Sequence, residues 1–278
     1  MICNNEYNLY LKDLIMEEQL KKQKFIPKVI HYCWFGPNPL PPSARKYIRS
    51  WRKYCPDYTI REWNERNFDI NCNAYCREMA RRQKWAFLTD YIRLKVIYEN
   101  GGIYLDTDVQ LLKSIEPLRK RGPYMGVENT GRVATGLGFA AEAGNPLIRE
   151  NMLWYEQADD FDQVPSCPYI TTEILRKHGM TDRVDRIQII DGMYIYPEEY
   201  LCPKNERNGL ITLTENSYSI HQFDASWFEP EWKESQKKRW QRERRKYILQ
   251  TPNRLLMRIL GEKRYAGMKS ILKKKKQD

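Results

Sequence analysis

Apolar positions fall in short blocks separated by turn residues. Lys28–Trp34, KVIHYCW, lies between Pro27 and the turn Gly36-Pro37-Asn38-Pro39 and reads as a buried strand. Ser43–Tyr54 carries Ile48 and Trp51 at helical spacing, and Pro56-Asp57 ends it. Tyr58–Trp63 alternates as a second strand. Residues 73–82 and 84–99 read as helices, the second through Trp85, Leu88, Ile92 and Val96, with Gly101-Gly102 as its stop. Ile103-Tyr104-Leu105 is then a short buried strand running into Asp106-Thr107-Asp108. Tyr124–Glu128 and Val133–Ala141 are further strand candidates, and Asn145–Gln157 and Thr171–His178 further helices. Residues 159–168 read as an acidic loop. Residues 187–228 read as irregular, with short strands near Ile187–Ile190, Leu210–Thr214 and Tyr218–His221. Alternation of strand and helix through residue 110 predicts an α/β sandwich around a mostly parallel sheet.

Composition narrows the class. Of 278 residues, 41% are hydrophobic and 30% charged, enough apolar material for a core. No apolar run approaches the roughly 20 residues that span a bilayer. The first 24 residues lack an uninterrupted apolar stretch; with Leu11, Leu14 and Ile15 they read as a short amphipathic helix rather than a secretory signal. Seven scattered cysteines read as reduced thiols of a cytoplasmic protein, and Cys72 with Cys76 lacks the second pair that a zinc site needs. The net charge of +11 sits in residues 229–278, which hold 17 Lys/Arg and 6 Asp/Glu; residues 1–228 hold 30 of each. A neutral body argues against a nucleic-acid-binding face, and no nucleic-acid partner is expected.

Candidate chemistry concentrates in Gly101–Asp108. Two carboxylates one residue apart follow a buried strand, and ligands of open α/β sheets bind at strand C-terminal ends. Close carboxylates repel unless a cation lies between them, and oxygen ligands suit Mg²⁺ or Mn²⁺. On the preceding helix Asp90 and Arg93 share a face. Taken alone, that pair reads as a surface i,i+3 ion pair; the alternative is a guanidinium forking onto phosphate and a carboxylate accepting from ribose. His31 reads as a core histidine, His178 as a helix C-terminal residue, and Trp51 and Trp63 as core.

Several strings occur in order: Ile26–Gly36, Ser50-Trp51 with Pro56-Asp57-Tyr58, Trp63-Asn64-Glu65 with Asn67-Phe68-Asp69, Thr89–Leu94, and Gly101–Asp108. Together they resemble the sugar-binding D-x-D region of glycosyltransferase family 32, densely over residues 26–118 and more thinly to 228. The resemblance implies a GT-A-type, Rossmann-like nucleotide-sugar-binding sandwich and a metal-dependent, retaining transfer of a hexose, with UDP the favoured carrier. It implies Trp34 as the ring that stacks on the base, and Asp90 and Arg93 as contacts to ribose, donor sugar or phosphate. It implies Asp106 as the first carboxylate, shared between donor and metal, and Asp108 as the direct metal ligand. Ser219–Gln222 with Ser226-Trp227 looks like the family's closing segment, which implies His221 near the metal and Trp227 on the β-phosphate. The family's Asn or Gly-Ala site is replaced by Thr135–Gly138. Glu128, Glu142 and Asp191 are available as an acid near the anomeric carbon, and their spacing singles out none.

The expected organisation is an N-terminal helix over 1–25, a catalytic domain over 26–228 and a basic tail over 229–278. Within the tail, 252–276 reads as an amphipathic helix with Leu255, Ile259 and Leu272 on one side. Such a helix suits an anionic membrane surface, which fits a lipid-linked glycan acceptor, synthesis of capsule or other surface polysaccharide, and a place at the inner face of the cytoplasmic membrane. A helix packed on the body is the alternative. A toxin-like effector that glycosylates a protein and a non-catalytic nucleotide-sugar-binding module are the competing functions.

Overall fold

The computed structural model describes residues 25–224 and 230–260, without the side chains of 230, 232, 233 and 250–260. The helix expected over 1–25, apart from its last residue, and the Ser226-Trp227 segment lie outside the described residues. Those described divide into two compact units, 25–203 with 212–224 and 204–211 with 230–260.

The first unit is built on a seven-stranded sheet. Strand β1 (Val29–Cys33) pairs in parallel with β2 (Thr59–Trp63) and with β3 (Gly102–Tyr104). The sheet continues through β6 (Phe139–Ala141), β5 (Tyr124–Gly126), β8 (Met193–Tyr196) and β7 (Gln188–Ile190), in the order β2-β1-β3-β6-β5-β8-β7. Pairings at β6 and β7 are antiparallel, so the other five strands share one direction and the sheet is mostly parallel, as expected. The remaining strands, β4 (Val109–Leu111) and β9 (Ser219–His221), form a separate antiparallel ribbon with Val109 opposite His221.

Period-2 alternation splits the core into two layers. Tyr104, Met125, Phe139, Ala141, Met193 and Ile195 face one side of the sheet. They meet α2 (Ala74–Arg81), α3 (Trp85–Asn100), α5 (Pro146–Glu156) and α6 (Cys167–Lys177). Ile30, Tyr32, Ile103, Tyr124, Ala140 and Tyr196 face the other, under α1 (Pro42–Tyr54), α4 (Glu116–Arg121) and α7 (Glu198–Leu201). This is the α/β sandwich that the alternating pattern predicts.

Four details differ from the expected elements. Val133–Ala141 is not one strand: a 3₁₀ turn, Thr135–Leu137, separates a bridge residue, Val133, from β6, because Gly138 takes φ +113°. Helix α6 starts four residues early, at Cys167, since Pro168 fits a first turn. Residues 187–203 hold β8 and α7 as well as β7, while Leu210–Thr214 gives only an isolated bridge at Ile211. In the second unit, helix α8 (Pro230–Leu260) begins well before the expected 252; its charge density hides the helical period. Trp240 holds the short arm 204–211 to α8: its indole N–H donates to the Glu206 carbonyl, and Lys204 lies over its ring.

His31 is the core histidine that the sequence suggests. The Trp63 indole N–H donates to its Nδ1 (3.0 Å), so Nε2 carries the proton and donates to the Gly101 carbonyl (3.1 Å). Burial pushes its pKa down to about 4. Protonation then favours the unfolded chain between pH 6.5 and about 4, so the stability tied to neutral His31 is complete above 6.5 and drains as pH falls. We expect the stability difference between the wild type and His31→Gln, measured by urea unfolding, to shrink by about 3 kcal/mol from pH 7 to pH 4; a pH-independent difference would refute a neutral buried imidazole.

Candidate active site

The site forms where the parallel strands end. Helix α3 stops at Gly101, whose N–H donates to the Ile97 carbonyl (2.8 Å) and whose φ of +65° turns the chain out of the helix. Strand β3 follows at once, and the chain then turns: the Val109 N–H donates to the Asp106 carbonyl (2.9 Å), closing a turn over Thr107-Asp108. Asp106 and Asp108 thus converge through a turn. Beyond the turn β4 runs back against β9, and the Trp51 indole N–H anchors it by donating to the Val109 carbonyl (2.7 Å).

Ribbon pairing brings a distant residue to the turn. His221, opposite Val109, places Nε2 3.2 Å from Asp108 Oδ1. One ligand atom each from Asp106, Asp108 and His221 lies within 4.8 Å of the others. The Asp224 N–H donates to Asp108 Oδ2 (3.0 Å) and the Gln222 N–H to the Asp108 carbonyl (3.0 Å). Burial would push the Asp108 carboxyl up, but His221 and the Asp224 N–H hold it below its ordinary value. Burial likewise opposes charge on His221, and the attraction of Asp108 wins, raising its pKa. The two carboxylates fit Mn²⁺ or Mg²⁺ by donor type, and the imidazole suits a transition metal such as Mn²⁺ better than Mg²⁺. Among the described residues buried His221 Nδ1 has no hydrogen-bond partner, and the ring is held there through Nε2 and the ribbon.

Asp90 and Arg93 are not the surface pair that their spacing alone suggests. Arg93 is only 5% exposed, because α3 packs against β1 and β3 on one side and α5 on the other. Its guanidinium lies 3.1 Å from Asp90 and 3.5 Å from Asp106, with Nε donating to the Thr89 carbonyl (3.1 Å). Burial raises the Asp90 pKa to about 6 against the pull of Arg93, leaving it mostly ionised at neutral pH. Burial also raises that of Asp106. Trp34, Phe35, Asn38, Trp85, Thr89 and Asp106 line a pocket beside this pair. Within it the Trp34 indole N–H donates to the Asn38 carbonyl (2.7 Å).

Tyr104 and Gly136 are site residues that the sequence reading missed. The Tyr104 hydroxyl donates to Asp106 Oδ1 (2.9 Å), and its ring lies under Arg93 at 5.3 Å. Period-2 spacing from Asp106 could have flagged it. A Cβ on Gly136 would stand 2.5 Å from Asp106 Oδ2 and 3.0 Å from Arg93 Nη1, so only glycine lets the 3₁₀ turn approach the pair. No local signal marks this. Of the three acids left open, Glu142 accepts from Asn145 and Asp191 pairs with His178, while Glu128 is the one whose charge acts on His221. Trp227 lies outside the described residues.

Residues 41–124, under a third of the chain, match the family described as glycosyltransferase sugar-binding region containing DXD motif. The matched stretch includes Asp90, Arg93, Asp106 and Asp108. No curated protein matches. Among solved structures the chain is similar to PaToxG glycosyltransferase, at 21% identity and a TM-score of 0.45, covering 55% of this chain and 68% of that one. It is similar to a glycosyltransferase involved in glycosylation of the major capsid of PBCV-1, at 13% identity and TM-score 0.42, covering 76% and 100%. A third similar structure is the UDP-bound glycosyltransferase domain of the YGT toxin, at 13% identity and TM-score 0.38, covering 58% and 69%.

Gly136→Ala should displace Asp106 from Arg93. We expect Mn²⁺ affinity, measured by calorimetry, to fall about 10- to 100-fold, the range for disturbing a ligand's supporting shell. Unchanged affinity would show that the 3₁₀ turn does not hold Asp106.

Proposed function

We propose that this chain is a metal-dependent, GT-A-type glycosyltransferase that moves a hexose, with retention, from a nucleotide sugar to a glycan acceptor. The carrying observation is the convergence of Asp106, Asp108 and His221 within 4.8 Å beside the buried Asp90–Arg93 pair, at the C-terminal edge of the parallel strands. The family match over residues 41–124 supports it. The family resemblance favours UDP as the carrier. The resemblance favours surface-polysaccharide synthesis as the setting, and the scattered cysteines, read as reduced thiols, favour the cytoplasm.

In this reading the donor lies along the strand ends. Its base occupies the pocket of Trp34 and Trp85, where an indole face offers stacking. Asp90, mostly ionised at neutral pH, accepts from a ribose hydroxyl. Arg93, fixed by Asp90, Asp106 and Thr89, neutralises charge on the diphosphate as the glycosidic bond breaks. Preorganisation matters here, because a guanidinium held by three partners need not reorganise during reaction. Tyr104 orients Asp106 through its hydroxyl. Asp106, Asp108 and His221 would hold Mn²⁺ or Mg²⁺, which when bound stabilises a diphosphate leaving group as a Lewis acid. Trp227 is proposed as a phosphate contact on resemblance alone.

Full-length protein with Mn²⁺ should hydrolyse or transfer from one nucleotide sugar in a panel of UDP- and GDP-sugars, read as released nucleoside diphosphate. Asp108→Asn should lower turnover at least about 100-fold. Neither turnover nor metal-dependent donor binding across the panel would sink the proposal.

A further inference from the structure

Helix α8 carries a face that the transferase chemistry does not use. Gln236 is buried, and Trp240 lies against the arm 204–211, so these two mark the inner side of the helix. On the opposite side, Lys238, Arg242, Arg245 and Leu249 follow at intervals of four, three and four residues, with Lys237, Gln241 and Ile248 flanking them. All seven are exposed. Between 237 and 249 the helix holds seven Lys/Arg against one acid, Glu243, which pairs with Lys246 and Arg242. The face ends in exposed aliphatics: Ile248 is 58% exposed and Leu249 76%.

We propose that this face docks the protein on an anionic lipid surface. The arrangement matches the two parts of such a surface. Lys238, Arg242 and Arg245 meet phosphate headgroups, and Ile248 with Leu249 enters the acyl boundary. A nucleic acid would be served by the cations but offers no apolar layer for two neighbouring aliphatic side chains. Charge supports the choice as well: residues 1–228 hold equal numbers of cations and acids, so the attraction to an anionic surface is local to the tail. No helix among the described residues is long and apolar enough to cross a membrane. Docking of this kind is independent of the transferase reading.

Co-sedimentation of the full chain with vesicles tests it. Vesicles of phosphatidylcholine with 30 mol% phosphatidylglycerol, a composition chosen at about the anionic content that makes such electrostatics measurable, are compared with pure phosphatidylcholine, at low and high salt. We expect binding to the anionic vesicles only, weakened by salt. Lys238→Glu/Arg242→Glu/Arg245→Glu should weaken it at least tenfold, and Ile248→Ser/Leu249→Ser should weaken it several-fold at constant charge. Donor turnover and the thermal midpoint serve as controls, since none of these residues belongs to the candidate site. Equal binding to both vesicle types, indifference to the charge-reversal variant, indifference to the serine variant, or binding to single-stranded RNA in preference to vesicles would each overturn the proposal.

Discussion

A buried guanidinium organises this protein. Arg93 is held inside the sheet–helix layer with almost no contact with water, and a charge so placed is tolerated only with matched partners. Asp90 supplies one from the same helix and Asp106 the other from the end of β3. Removing Arg93 would leave both carboxylates buried without their counter-charge, a loss of about 3–5 kcal/mol in comparable pairs. The requirement fixes the rotation of α3, the exit direction of β3 and the need for glycine at 136. Tyr104 completes the arrangement, lying under the guanidinium and donating to Asp106.

From that centre the charged groups run outward in a row. Arg93 sits between Asp90 and Asp106; Asp106 and Asp108 face His221. Within this row Asp108 and His221 stabilise each other's charged form, while burial works against Asp90 and Asp106. Three carboxylates, Asp90, Asp106 and Asp108, accompany the single guanidinium of Arg93, so the charge balance of the site favours a further cation. Fixed donors and acceptors in a water-poor pocket act more strongly than the same groups in solvent.

The ribbon β4–β9 is the second structural requirement. It is small, but it joins the D-x-D turn to a residue more than a hundred positions later. Trp51, fully buried, ties the ribbon to α1 through the Val109 carbonyl, and Ser50 Oγ accepts from the Leu111 N–H. Ser50 and Trp51 lie within the matched stretch but touch none of the candidate ligands; their part is to set the position of the ribbon.

Much of the fold was legible in the chain. Alternating apolar blocks predicted the α/β layering, the 3.6-residue stripe predicted α3, and two acids after a buried strand marked the site. His31 followed from burial inside a strand. Other features needed the tertiary structure. Asp90 and Arg93 look like a surface pair locally, because spacing along a helix says which residues share a face but not what covers it. His221 reaches Asp108 through strand pairing across a long loop, a contact that no local pattern encodes. Gly136 is needed for a close approach between segments, and β8, α7 and the early start of α8 were hidden by short length or dense charge. Local periodicity and turn chemistry act over a few residues, so the sequence by itself determined the elements and the carboxylate pair. Burial, register and the convergence of charges depend on which elements meet, and the packing of the whole sheet decided those.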